Sequence, residues 1–107
     1  MPGRGSRPRT ARSLPDRWVH EILAIAAEDT SSKVAKEEAR HTVMVDGVTV
    51  SLRLVRGVFR WWLAVDDGDL IAAGMIVGDT PPRADRVAVV ARWRRRGLYR
   101  AILGWLV

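Results

Sequence analysis

The sequence predicts an α+β fold: two N-terminal helices, an antiparallel meander of about five strands and a C-terminal helix. Three observations carry this. Apolar residues recur at helical spacing between Ser13 and Glu28. The period drops to about two from His41 onward. Turn dipeptides then divide that second region into hairpin-length segments.

A chain of 107 residues suits one domain, expected over 13–107, behind an arginine-rich tail at 1–12 that lacks hydrophobic periodicity. Ser13 is placed to cap the first helix, Pro15 suits its first turn, and Asp16 complements the helix dipole. Trp18, Ile22, Ile25 and Ala26 form its apolar face, widened by Val19 and Leu23. Asp29, Thr30 and Ser31 end it. Ser32 is expected to cap a second, more polar helix through Arg40, with Val34 and Ala35 as its few apolar contacts.

Strands follow at His41–Val45 and Val48–Val55 around Asp46-Gly47, a strong two-residue hairpin signal. Arg56-Gly57 turns the chain again. A second hairpin joins Val58–Val65 to Leu70–Val77 through Asp66-Asp67-Gly68-Asp69. Residues 78–85, with Pro81-Pro82, read as a loop, since proline cannot donate to a ladder. Val87–Ala91 reads as the last strand and Arg95–Val107 as the last helix. Trp61 and Trp62 point to opposite faces of one strand, one to the core and the other to an edge or interface. Trp18 and Trp105 are expected in the core.

Composition excludes some chemistry. There is no cysteine, so disulfides, thiolate catalysis and cysteine-type zinc sites are out. His20 and His41 lack ligand spacing and read as surface residues. No apolar run approaches the roughly 20 residues of a membrane span, and a soluble, cytoplasmic protein is expected.

The net charge of +6 is unevenly spread. Arg4, Arg7, Arg9 and Arg12 lie in the tail, and Arg92, Arg94, Arg95, Arg96 and Arg100 crowd near the end. The rest holds nine bases against twelve acids, a net of −3. A mildly acidic body with two basic patches points to phosphate-bearing partners.

Those arginines sit where a strand runs into a helix. The first N–H groups of a helix lack internal partners, and its dipole favours anions. Gly97 lets a ligand approach the backbone. Residues 94–99 are thus a predicted phosphate or pyrophosphate site.

The same segment, Arg94-Arg95-Arg96-Gly97-Leu98-Tyr99, resembles the Arg/Gln-x-x-Gly-x-Gly/Ala motif of the GNAT acetyltransferase superfamily at its first and fourth positions. The aliphatic strand before it, Trp93 beside it, Arg100-Ala101-Ile102-Leu103 after it and the Trp62–Val77 hairpin upstream fit the same pattern. The resemblance implies that the backbone of Arg94–Tyr99 holds the pyrophosphate of acetyl-CoA or another acyl-CoA. It also implies that Val89, Val90 and Ala91 pair with the pantetheine arm. Tyr99 and Ala91 depart from the small residue and the proline usual at their positions. An additional hairpin precedes the meander. No strand precedes the first helix, and the elements that follow this motif in the family do not follow Val107.

Three functions are expected from this reading. The first is a minimal N-acetyltransferase acting on an amine, with a backbone N–H near Val90–Ala91 polarising the thioester and Asp79 or Asp85 as base; a homodimer would complete its cleft. The second is a non-catalytic inhibitor or adaptor-like protein on a truncated GNAT scaffold, its edge at Val87–Ala91 open to a protein partner. The third is a nucleic-acid-binding protein using the arginines and Trp93.

Overall fold

The computed structural model describes residues 16–78 and 83–106. Helix α1 (Asp16–Thr30) is followed by strands β1 (Lys36–Val45), β2 (Val48–Arg56), β3 (Arg60–Asp66), β4 (Asp69–Val77) and β5 (Arg83–Val89). A single 3₁₀ turn (Ala91–Trp93) then leads to helix α2 (Leu98–Leu106). The strands form one antiparallel sheet in sequence order, so β3 is central and β1 and β5 are the edges. The expected tail, Ser13, Pro15 and Pro81-Pro82 lie outside the described residues.

The helices lie on opposite faces. On one, Val19, Leu23 and Ala26 of α1 pack on Val55, Trp61, Leu63, Ala73 and Ala88. On the other, Leu98 and Ile102 of α2 join Trp93, Val50, Leu52, Trp62, Ala64 and Ala72. Because strand side chains alternate, neighbouring Trp61 and Trp62 enter different cores. Both are buried, at 1% and 0% exposure, which corrects the expectation that one would shield an edge. Gly74 makes room for the Trp62 indole: a Cβ there would stand 2.6 Å from the ring.

Two hairpins turn as the sequence predicts. Asp46-Gly47 (φ 54° and 80°) and Asp67-Gly68 (φ 50° and 85°) both hold two consecutive left-handed residues. That is the type I′ signature, whose twist matches the strands it joins.

The second N-terminal helix does not exist. The segment expected to form it becomes β1, which begins at Lys36 and pairs along its length with β2. The Ser32 hydroxyl donates to the Asp29 carbonyl at 3.0 Å, closing α1 rather than opening another helix. With Val34 and Ala35 as its only apolar residues before Ala39, a helix here would bury little. As a strand, the segment places Glu37 against Arg53 (2.6 Å) and Arg40 (3.0 Å), and Glu38 against Arg60 (2.8 Å) and Arg56 (3.5 Å). Cross-strand pairing outweighs a weak local helix preference.

Three smaller corrections follow. β5 starts at Arg83, inside the expected loop. α2 starts at Leu98, three residues later than expected. Trp18 is 49% exposed, because the buried stripe of α1 is Val19–Leu23–Ala26. Trp105 is half-buried and stacks on His41, with centroids 6.1 Å apart.

Asp29 fastens α1 to the sheet. Its carboxylate accepts the N–H groups of Val58 (2.7 Å) and Phe59 (2.9 Å) and the Trp61 indole N–H (2.8 Å). Gly57 makes this approach possible, since a Cβ there would collide with Asp29. Burial acts to raise the Asp29 pKa, but the three donors outweigh it and hold the group below its usual 3.8. Hydrogen bonds from Arg40 and Arg53 lower Glu37 from 4.5 to about 2.

Both carboxylates have depressed native pKa values, so each stabilises the fold above its unfolded value and loses that contribution as pH falls through its folded value. Urea melts should show stability declining below about pH 4.5, the Glu37 share disappearing between 4.5 and about 2. Asp29→Ala should remove its part of that acid dependence and cost about 1–3 kcal/mol at pH 7. Gly74→Ala, which drives a methyl into a buried indole, should cost about 1–3 kcal/mol in the same melts.

Candidate anion site at the strand–helix turn

The chain leaves β5 at Val89 and must cross the end of the sheet to place α2 over the Trp62 face. Trp93 makes the crossing stable. It is 3% exposed and belongs to the same core as Trp62 and Ile102. The N–H groups of Trp93 and Arg94 donate to the carbonyls of Val90 (3.0 Å) and Ala91 (3.2 Å), which tightens the chain into one 3₁₀ turn.

The backbone then alternates in hand. Arg94 is extended (φ −73°, ψ 148°), Arg95 is left-handed (φ 63°), and Gly97 is left-handed again (φ 85°). A left-handed arginine costs about 1–2 kcal/mol and is sustained only where its surroundings demand it. The first helical bond of α2 runs from the Ala101 N–H to the Gly97 carbonyl at 3.0 Å. The N–H groups of Leu98, Tyr99 and Arg100 therefore precede it and have no carbonyl partner within the helix. Left-handed turns feeding a helix start form the backbone concavities that hold anions.

The five arginines do not act as one patch. Arg92 approaches Asp69 at 4.0 Å, Arg94 pairs with Asp16 at 3.2 Å, and Arg96 faces Asp46 at 3.6 Å. Arg96 also lies over the Trp93 ring, 5.2 Å from its centroid, a cation–π contact. Asp46 and Asp69 come from the two type I′ hairpins, and Asp16 from the first turn of α1. The three acids converge because all three elements reach the same end of the sheet. Arg95 and Arg100 are exposed and form no ion pair among the described residues.

All the sequence-predicted site residues but Asp79 have a position. Arg95, Arg96, Gly97, Leu98 and Tyr99 do form one turn at the helix start. Leu98 is buried beneath it, and the Tyr99 ring leans on Trp62 with centroids 6.5 Å apart. Arg94 is turned away: its Nε donates to the Val89 carbonyl at 3.1 Å. The Val90 N–H, expected to polarise a thioester, donates instead to the Ile71 carbonyl at 2.9 Å. Ala91 lies in the 3₁₀ turn. Asp85 sits on β5 opposite Met75. Asp79 lies outside the described residues.

Two features were not read from the sequence. The first is a bulge in β5. Between the pairs Ala73–Ala88 and Met75–Asp85, Arg86 and Val87 stand opposite the single residue Gly74. A bulge takes a residue off the ladder and is common beside functional sites. The Gly74 in an otherwise apolar strand was its only sequence signal. The second is an open cleft of about 230 Å³ between the start of α1 and the end of β5, lined by Asp16, Val19, His20, Val90, Ala91 and Arg92.

Among the described residues, no group of three histidines and carboxylates is arranged to hold a metal ion, and no helix is long and apolar enough to cross a membrane. Comparison with protein-family models, curated proteins and solved structures finds no match to this chain.

Trp93 is the anchor of the whole turn. Trp93→Ala should destabilise the domain by about 3–5 kcal/mol in urea melts. Arg96→Ala, which loses only an exposed pair and a cation–π contact, should cost about 1 kcal/mol or less.

Proposed function

We propose that the turn from Arg95 to Arg100 binds the diphosphate of an acyl-CoA, acetyl-CoA being the simplest. The observation that carries this is the turn's backbone. Left-handed Arg95 and Gly97 lead into a helix whose first N–H groups have no partner within it, with two exposed arginines alongside. The resemblance of Arg94–Tyr99 to the GNAT motif supports the identity of the anion. The β5 bulge at Arg86 and Val87 lies on the strand that leads into this turn.

On this reading the domain belongs to acyl-group chemistry, and transfer to an amine is the reaction it would serve. The base for that step is not among the groups that the turn brings together. The open edge of β5 favours a second reading, a non-catalytic partner-binding scaffold, which predicts protein association without any response to acyl-CoA. Nucleic-acid binding fits less well, since Arg92, Arg94 and Arg96 each face an aspartate that would repel a long polyanion.

Thermal melts with about 1 mM acetyl-CoA test the proposal. A ligand at 100 times its dissociation constant adds about 2.7 kcal/mol, a rise of about 10 °C or more for a domain this size. Pantetheine, which lacks the diphosphate, should give no rise. Arg95→Gln with Arg100→Gln should weaken acetyl-CoA about tenfold or more. An unchanged melting temperature in the unsubstituted protein would reject the acyl-CoA reading.

A further inference from the structure

Helix α1 carries a second apolar stripe that the sheet does not use. Trp18, Ile22 and Ile25 follow one another at i, i+4 and i+7, which sets them on one line along the helix. Val19, Leu23 and Ala26 occupy the neighbouring line and take the sheet. Ile22 is half-buried at the boundary, while Trp18 and Ile25 are 49% and 53% exposed. Asp29 extends the line by one more turn, and its carboxylate holds the N–H of Phe59, itself 50% exposed. The stripe therefore runs from the start of α1 to the β2–β3 turn. An exposed apolar surface rimmed by charge marks an interaction site.

The charges beside the stripe select its occupant. Arg17, Glu21, Ala24 and Glu28 repeat the same spacing one position earlier, and all four are exposed. Arg17, Glu21 and Glu28 form no ion pair among the described residues. Arg17 and Glu28 lie roughly 16 Å apart along the helix axis, too far to reach each other. The row is thus basic at its N-terminal end and acidic at its C-terminal end. Reversed, it is complementary to itself.

We infer that α1 of a second copy of this chain covers the stripe, antiparallel, about a two-fold axis beside Ile22. In such an interface every contact occurs twice. Trp18 of one copy packs on Ile25 of the other, with Phe59 one turn farther on. Arg17 faces Glu28 of the second copy, and Glu21 faces Ala24 rather than another acid. A parallel pairing would instead set Arg17 against Arg17, Glu21 against Glu21 and Glu28 against Glu28, all like charges. Residues 1–15 are a poorer occupant: they hold four arginines, and Met1 and Leu14 are their only large apolar residues. Four apolar side chains from each copy bury less than the roughly 1,200–2,000 Å² of a standard interface, so the dimer is reversible, with a dissociation constant on the order of 10 μM.

Sedimentation velocity of the full chain, from about 1 to about 300 μM and without acetyl-CoA, tests this independently of the anion reading. A reversible monomer–dimer equilibrium is expected. Ile25→Glu should weaken it about tenfold or more and leave the urea melt nearly unchanged, because the site is exposed. Arg17→Glu and Glu28→Arg should each weaken it about three- to tenfold, since each turns an attraction into a repulsion twice per dimer. Both replacements favour the helix dipole, so a loss of association with an unchanged or higher melt does not come from unfolding. The double variant Arg17→Glu with Glu28→Arg should return the dimer to within about twofold of the original. A monomer at every concentration would overturn the inference and leave the stripe to a lipid surface or a different protein. A dimer that ignores Ile25→Glu, or a double variant that fails to restore association, would overturn it as well.

Discussion

Two adjacent tryptophans on the central strand set the terms for the rest of this fold. Trp61 and Trp62 point to opposite faces of β3, and both are fully covered. Burying two indoles on two faces requires a layer on each side of the sheet. α1 supplies one and α2 the other. The Asp29 carboxylate then satisfies the Trp61 indole N–H and fixes α1 against the β2–β3 turn. On the second face the chain must climb from the end of β5 onto the Trp62 side, and Trp93 goes in with it. The position of the candidate site is a consequence of that climb.

The climb also decides the electrostatics. Every odd-to-even turn of the meander lies at the end of the sheet where β5 leaves, and those turns are rich in aspartate. Asp46 and Asp69, with Asp16 from α1, therefore meet Arg96, Arg92 and Arg94. Three of the five arginines of the basic cluster thus face an aspartate, while Arg95 and Arg100 stay exposed. On the proposed reading, such a surface would select by shape and by directed N–H groups more than by long-range attraction.

Much of the fold was legible in the sequence because its signals were local. Asp46-Gly47 and Asp67-Gly68 specify type I′ turns by the backbone they tolerate, and the alternation of Val48–Leu54 marks a strand with one wet face. The helix of Ser32–Arg40 was misread for a physical reason. Its residues have ordinary helix preference, and what makes them a strand is the pairing of Glu37 and Glu38 with arginines 16 to 22 residues farther on, which no local window contains. Trp18 was misplaced because two apolar stripes on α1 compete, and only the sheet beneath chooses Val19–Leu23–Ala26. At the site, the order strand–turn–helix was readable, but the left-handed Gly97 was not, since the helix was expected from Arg95 and begins at Leu98. The diversion of Arg94 to Val89 was not, since it depends on where α1 begins relative to the edge of β5.

On the proposed reading, backbone N–H groups at the start of α2 recognise the anion. Amide NMR during an acetyl-CoA titration addresses it most directly. The account predicts saturable shifts concentrated on the amides of Gly97, Leu98, Tyr99 and Arg100, with those of the β1–β2 hairpin strands unmoved. Shifts spread evenly over the exposed arginines, or none at the start of α2, would contradict it.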